Sequence, residues 1–196
     1  DTKRLPMCTV SKPEILAHLV GKKYLTSLDF KDAFYHIPLS KKAQPLTAFY
    51  SSVHGQRYCF TRAPQGLRNS PLYLKLLLDK VFYDMSDDVI LFFDDLLIAT
   101  DGTLENHLKV VDKVLQKIIA AGLKVGPAKI SLAKDSVEFL GMVFSKGTIN
   151  IPKAKLEAFK RLPSPNTPKK TKSVVCALSF YRHFCPNFAE LSREIH

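Results

Sequence analysis

Apolar positions recur along the chain at two different periods, and proline, glycine and capping residues mark the breaks between them. Ser70-Pro71 places an N-cap before a proline at the first helical position and leads into LYLKLLLDKVF, which predicts a helix. Thr103 is placed to cap a second helix, in which Leu104, Leu108, Val111, Leu115 and Ile118 recur at helical spacing until Gly122 closes it. Thr167-Pro168 opens a third, with Val174, Val175, Leu178 and Tyr181 on one side, and a short helix is expected after Pro13, stopping at Gly21. Strands are expected at Tyr24 to Phe30, Leu46 to Ser52, Gln56 to Thr61, Val89 to Phe93, Leu96 to Thr100 and Val137 to Phe144. These runs are short, rich in aromatic and branched residues, and bounded by turn formers. Helices mixed with hairpins in this order predict an α+β fold built on an antiparallel sheet, not a doubly wound parallel one. The proline- and lysine-rich stretch Leu162 to Lys172 predicts a hinge before a small helical unit.

One segment breaks its own pattern. In DVILFFDDLLIAT, two adjacent aspartates interrupt a run that otherwise suits a buried strand on either side. A buried, isolated carboxylate is very costly, so the pair must lie at an exposed turn, against cations, or on a metal. Taken alone it fits an ordinary hairpin turn better, because aspartate favours turns. The flanks, however, stay apolar right up to the pair, with no glycine or asparagine beside it. Two carboxylates on a hairpin tip are a good frame for a hard divalent cation, which prefers oxygen ligands. A further acid is available in LTSLDFKDAFYHIPL, where Asp29 ends a predicted strand. Asp32 lies deeper in the following turn and is better placed as a cap.

Charge and cysteine content narrow the partners. Twenty-nine basic side chains against 18 acidic ones give a net charge of +11 and a pI near 9.5. That excess concentrates polyanions, nucleic acid above all, although charge alone fits a merely basic protein equally well. Cys8, Cys59, Cys176 and Cys185 form no zinc-type spacing or disulfide framework, and are expected as reduced, partly buried thiols. The start, DTKRLPMCTV, lacks a signal-peptide core and an initiator methionine, which suggests a fragment or processed product, cytoplasmic, nuclear or in a particle, and not secreted. No apolar stretch is long enough to span a membrane.

The motifs carry a resemblance. LTSLDFKDAFYHIPL, APQGLRNSP, FFDDLLIAT, GLKVGPAKISL and EFLGMVFSKGTINI follow one another in the order and spacing of the A-to-E motifs of reverse transcriptases. The chain resembles the enzymes of retroviruses and long-terminal-repeat retrotransposons over nearly its whole length. LPSPNTPKKTKSVVCALSFYRHFCPNFAELSREI is similar to the thumb that follows the palm in that family. The resemblance implies a right-hand palm with an antiparallel sheet flanked by helices, partial fingers and a small helical thumb. Residues 1–36 would begin the palm, 37–69 form partial fingers, 70–151 continue the palm through the catalytic hairpin and primer grip, and 152–196 begin the thumb.

The resemblance also implies RNA-directed DNA polymerase activity with two Mg²⁺ ions, Mn²⁺ being an alternative, on Asp29, Asp94, Asp95 and the backbone of Phe30. Two-metal phosphoryl transfer places such ions about 4 Å apart, one on the primer hydroxyl and one on the departing pyrophosphate. Phe34 falls at the gate against a ribose 2′-hydroxyl, though a core aromatic is the ordinary fate of a phenylalanine. Gln65 and Gly66 match the segment along the incoming nucleotide and template. Lys129 matches a lysine that would meet the outer phosphates. Leu140, Gly141 and Met142 match the primer grip, and the thumb lysines and Arg161 would contact phosphates. Partners would be an RNA or DNA template with primer, and dNTPs. Further fingers, connection and ribonuclease H regions would lie on a longer parent chain. Phe92 stands where the family usually has tyrosine, which removes a hydroxyl and leaves the carboxylates. The other reading is a retroelement fragment that binds nucleic acid without catalysis. An RNA-directed RNA polymerase is less compatible with Phe34.

Overall fold

The computed structural model describes residues 5, 12–145 and 148–193, so Cys8 and most of the first eleven residues lie outside it. The chain separates into two compact units, 1–149 and 150–196. In chain order the first contains α1 (Lys12–Leu19), β1 (Tyr24–Asp29), β2 (Phe49–Ser51), β3 (Gln56–Tyr58), α2 (Ser70–Phe82), β4 (Val89–Phe92), β5 (Asp95–Thr100), α3 (Leu104–Ala120), β6 (Ser131–Lys134), β7 (Ser136–Phe139) and β8 (Met142–Ser145). Strand β9 (Thr148–Asn150) follows at the boundary, and α4 (Lys153–Lys160), α5 (Pro168–Ser179) and α6 (Phe188–Ser192) complete the chain.

The main sheet has the order β4-β5-β1-β6, with β1 antiparallel to both β5 and β6, and β4 antiparallel to β5. Strand β5 is apolar on both faces because both are covered. Leu96, Leu97, Ile98 and Ala99 are all fully buried. Leu28, Phe30, Leu96 and Ile98 join Leu74, Leu78 and Phe82 of α2 and Val111, Val114 and Ile118 of α3 in one core. Side chains alternate along a strand, so Asp29 and Asp95 point to the sheet face away from these helices.

Helix ends follow the capping chemistry. The Thr103 hydroxyl accepts the Asn106 N–H at the start of α3. At the other end Gly122, at φ +66°, lets Leu123 N–H reach back to Ile118 C=O at 3.0 Å. Thr167 accepts from Lys170 N–H at the start of α5. In the second unit Val175 and Tyr181 are buried, with Phe159 5.7 Å from Tyr181.

Some expectations shift. The cap of α2 is Asn69, one residue before Ser70. Pro45 draws residues 44–47 into a 3-10 turn, so the strand expected from Leu46 is only Phe49–Ser51. The run from Val137 to Phe144 is two strands, split where Leu140 and Gly141 both take positive φ (53° and 68°) in a two-residue hairpin turn. Helix α3 buries His107, Val111, Val114 and Ile118, while Leu104 and Leu108 stay exposed. The buried stripe is thus rotated from the one that apolar residues alone indicate, because Thr26 and Thr100 satisfy His107 inside the core. Asp32 stands at a 3-10 turn start, but its side chain makes no cap bond. Cys59, Cys176 and Cys185 are exposed, not partly buried. Among the described residues, no helix is long and apolar enough to cross a membrane.

Candidate active site

Strand pairing brings the acids of two distant segments together. Asp29 closes β1 and lies in register with Asp95, the first residue of β5. The Phe30 N–H donates to Asp94 C=O at 3.0 Å, which makes Asp29 and Asp95 a non-hydrogen-bonded pair. Side chains in such pairs stand closest across a sheet, with Cβ atoms about 5 Å apart. Asp94 occupies the two-residue turn between β4 and β5, at the same sheet end.

The turn holds a strained residue. Phe93 has φ 55°, a region where hairpins of this length recruit Gly, Asn or Asp. Left-handed geometry costs an ordinary residue about 1–2 kcal/mol, and its neighbours must hold it there. Phe93 packs edge-on against Phe92 at 4.7 Å. The apolar residue before Asp94 thus sits where the backbone would favour glycine.

A second clamp lies across β1. Gly126 N–H donates to Asp29 C=O at 3.0 Å, Lys31 N–H donates to Lys124 C=O at 2.9 Å, and Phe30 bridges Val125. The 3-10 turn Pro127–Lys129 follows at once and delivers Lys129, whose Nζ donates to Asp29 Oδ2 at 2.8 Å. Hydrogen bonding to Asp29, reinforced by the negative field of all three aspartates, raises the Lys129 pKa above the ordinary lysine value. Asp95 is also raised, first by burial and then by repulsion from Asp94 and Asp29, with Lys129 opposing. The cluster is a site of negative potential short of compensating cations.

That donor set fits a hard divalent cation: carboxylate oxygens, crowded and mutually repelling, with one oxygen already engaged by an ammonium. Among the described residues, no three acidic, His or Cys side chains are gathered tightly enough to hold an ion as they stand. Lys129 holds one Asp29 oxygen at 2.8 Å and must yield it to any ion that enters there.

The other residues singled out in the sequence lie on separate elements. Phe34 is half-buried on the 3-10 turn Ala33–His36 and packs against the core. Phe30 places its ring in the core, leaving only its backbone at the site. Gln65 is exposed, and Gly66 at φ +91° has open space where a Cβ would be. Leu140 and Gly141 form the β7–β8 turn, and Met142 is buried beneath it. Sequence reasoning missed a basic cleft of about 530 Å³ beside the strand end, lined by Lys31, Asp32, Tyr35, His36, Arg62 and Lys124. Lys31, two residues after Asp29, was its one available signal. It also missed His107, an isolated histidine whose threonine partners are remote in sequence.

Residues 3–144 match the family described as "Reverse transcriptase (RNA-dependent DNA polymerase)". The chain belongs to the reverse transcriptase family. It is of the retroviral and long-terminal-repeat retrotransposon type. It is 33% identical over 193 residues to the retrovirus-related Pol polyprotein from transposon gypsy of Drosophila melanogaster, covering 98% of this chain and 18% of that one. It is 31% identical over 182 residues to the Pro-Pol polyprotein of simian foamy virus type 3 (strain LK3), covering 93% of this chain and 16% of that one. The fold superposes with a TM-score of 0.86 on a foamy viral protease-reverse transcriptase solved with an RNA/DNA hybrid, at 27% identity, covering 98% of this chain and 26% of that one. A related foamy viral structure with double-stranded DNA gives the same TM-score at 28% identity, covering 97% of this chain and 34% of that one. This reverse transcriptase chain therefore has the α+β palm fold of those enzymes and spans less than a fifth of the two polyproteins. Reverse transcriptases as a family use divalent metal ions.

Proposed function

We propose that this chain is the core of an RNA-directed DNA polymerase, which adds deoxynucleotides to a primer 3′-hydroxyl on an RNA or DNA template. The observation that carries the reading is the in-register meeting of Asp29 and Asp95, with Asp94 on the adjoining turn and Lys129 against Asp29. Asp29, Asp94 and Asp95, with the backbone of Phe30, would hold divalent ions, Mg²⁺ first and Mn²⁺ as a substitute. Bound there, such ions supply activation of the hydroxyl and neutralisation of the triphosphate.

The chain's own residues do the rest. The three carboxylates set where positive charge collects, and the β-ladder holds Asp29 opposite Asp95 before substrate arrives, leaving release of Lys129 from Asp29 as a rearrangement that an entering ion requires. Lys129, released from Asp29, is placed to neutralise outer phosphates or to give a proton to the leaving pyrophosphate oxygen. Lys31, Arg62 and Lys124 add positive field in the neighbouring cleft. Phe34 would close the space a ribose 2′-hydroxyl needs, while Gln65 and Gly66 would run along nucleotide and template. Leu140 and Gly141 would present the turn backbone to the primer, and Met142 would support it from below. In domain terms, 1–36 and 70–151 serve as palm, 37–69 as partial fingers and 152–196 as the start of a thumb. Intracellular or particle-bound residence would follow from this role.

The test is primer extension on an RNA template with dNTPs and Mg²⁺, using this chain and a version extended with the fingers region of a relative. Extension that disappears with chelator is expected of the extended version at least. Folded, nucleic-acid-binding protein with no extension in either form would instead favour the binding-only reading. In the same assay Phe34→Val is expected to raise ribonucleotide incorporation about tenfold or more by removing a steric clash. Unchanged sugar choice would remove Phe34 from the gate.

A further inference from the structure

Strand β6 approaches the acid cluster through an irregularity. Leu25 pairs with Lys134 and Ser27 with Ser131, so Thr26 on β1 faces both Leu132 and Ala133 on β6. One extra residue in an antiparallel ladder is a β-bulge, and a bulge re-aims the side chains beyond it. Here the residue re-aimed is Lys129. Counted on from Ser27 and Ser131, the register brings Asp29 opposite Lys129, and the ammonium does meet that carboxylate. Counted on from Leu25 and Lys134 with no bulge, it would bring Asp29 opposite Ile130 instead. A slip of one residue therefore exchanges the lysine for an isoleucine at that place.

The bulge is pinned by a side chain. Ala133 holds φ 45°, which an ordinary residue seldom adopts and which its neighbours must maintain. Its N–H donates to Thr26 Oγ1 at 2.9 Å, so a hydroxyl stands where a regular ladder would offer a backbone carbonyl. Thr26 is fully buried, and its hydroxyl lies 2.7 Å from Nε2 of His107, itself fully buried on α3. Thr100 Oγ1 lies 2.8 Å from the other ring nitrogen. Either neutral tautomer of an imidazole gives one hydrogen bond and takes another, so the ring is held at both nitrogens and fixes the Thr26 hydroxyl. Beyond the bulge the chain is clamped once more, where Gly126 N–H donates to Asp29 C=O at 3.0 Å.

We propose that Thr26, held by His107, is a positioning residue for Lys129. By pinning the bulge it keeps the β6 register that lays the lysine against Asp29. The action of Lys129 on phosphates rests on the polymerase reading; its placement by Thr26 does not.

Amide hydrogen exchange, resolved by nuclear magnetic resonance on the full chain in chelator, compares wild type with Thr26→Val, Thr26→Ser and Thr100→Val. Thr26→Val keeps the shape and removes the oxygen. Thr100→Val breaks a hydrogen bond to the same ring without touching β6. Thr26→Val is expected to speed exchange at Ala133 and Gly126 about tenfold, the scale of one lost hydrogen bond. Thr26→Ser and Thr100→Val are expected to leave both amides near wild type. Thr26→Cys, whose sulfur is only a weak acceptor, replaces the valine variant if that one does not fold, and the same amides decide.

Mn²⁺ affinity gives a second readout. Lys129→Met is expected to tighten Mn²⁺ binding about fivefold, the effect of one unit charge about 4 Å away in water. Thr26→Val is expected to give part of that gain, and to add nothing in the Lys129→Met protein, because the two substitutions act through one residue. Faster exchange at Ala133 alone, with Gly126 and Mn²⁺ affinity unmoved, would overturn the proposal by making the bridge purely local. Equal loosening by Thr26→Val and by either Thr26→Ser or Thr100→Val would overturn it in favour of general core damage, as would an undiminished gain in the Lys129→Met protein. A wild type that binds no Mn²⁺ would remove the metal and polymerase readings, and exchange at Gly126 would then decide the positioning by itself.

Discussion

Asp95→Asn is expected to make the metal-free protein more stable while reducing primer extension by about 10²–10³-fold or more, the scale of losing one preorganised charge in a reaction site. Burial comes first in raising the Asp95 pKa, followed by repulsion from Asp94 and Asp29. The folded state therefore disfavours the charge that the proposed chemistry requires. Asparagine keeps the shape and removes that charge. The gain should be about 1 kcal/mol, because Coulomb repulsion at these distances is screened by solvent and partly offset by Lys129. The pH dependence has a definite sign. A carboxyl whose folded pKa is raised binds its proton more tightly when folded, so wild-type stability falls as pH rises from the ordinary value of 3.8 through the folded one. Urea unfolding in chelator should show that decline in the wild type and a flatter profile in Asp95→Asn. Mg²⁺ should stabilise the wild type and leave the variant nearly unmoved. A destabilised variant that still extends primers would overturn both halves of the expectation.

The second large effect is expected away from the carboxylates, at His107. Its ring is fully buried, with Nε2 2.7 Å from Thr26 Oγ1 and Nδ1 2.8 Å from Thr100 Oγ1, and Thr26 Oγ1 also accepts the Ala133 N–H at 2.9 Å. One imidazole thus ties α3 to β1 and β5, and through Thr26 to the irregular strand β6, where Ala133 has φ 45°. His107→Leu preserves most of the volume but strands hydroxyl groups in the core, at about 1–3 kcal/mol for each unsatisfied group. Burial lowers the His107 pKa from its usual 6.5, with Asp88 weakly opposing. The unfolded chain therefore takes up a proton that the folded one resists. Stability is full above about 6.5 and drains away as pH falls below it. Unfolding at pH 7.5 should cost His107→Leu several kcal/mol relative to wild type, and the gap should narrow at pH 5. A constant gap across that interval would show that the imidazole does not titrate with folding.

Much of this architecture was legible because local chemistry and global fold agree. Thr103 and Thr167 cap the helices they announce, Gly122 ends α3 in a left-handed turn, and the apolar run through Leu96–Thr100 is the most buried strand. The paired aspartates stood out because they contradict their apolar surroundings, which is where function often overrides local preference. What escaped has physical reasons. Pro45 shortens one strand, and the positive φ of Leu140 divides another, although the glycine after it marked the turn. The short strand Ser131–Lys134 pairs through a register shift and carries no clean alternation. His107 defeats periodicity arguments, because a polar residue becomes a core residue only when its partners arrive from 81 and 7 positions away. The ion pair between Asp29 and Lys129, 100 residues apart, is likewise a product of strand order.

Cation binding is the most direct test of the carboxylate cluster. Mn²⁺ titrated into the full chain and followed by electron paramagnetic resonance should show saturable binding that Mg²⁺ displaces. Asp29→Asn and Asp94→Asn should each weaken it at least about tenfold, a conservative figure for loss of a ligand. Identical Mn²⁺ affinity in the wild type and both variants would mean that the strand pairing gathers these acids without making a metal site.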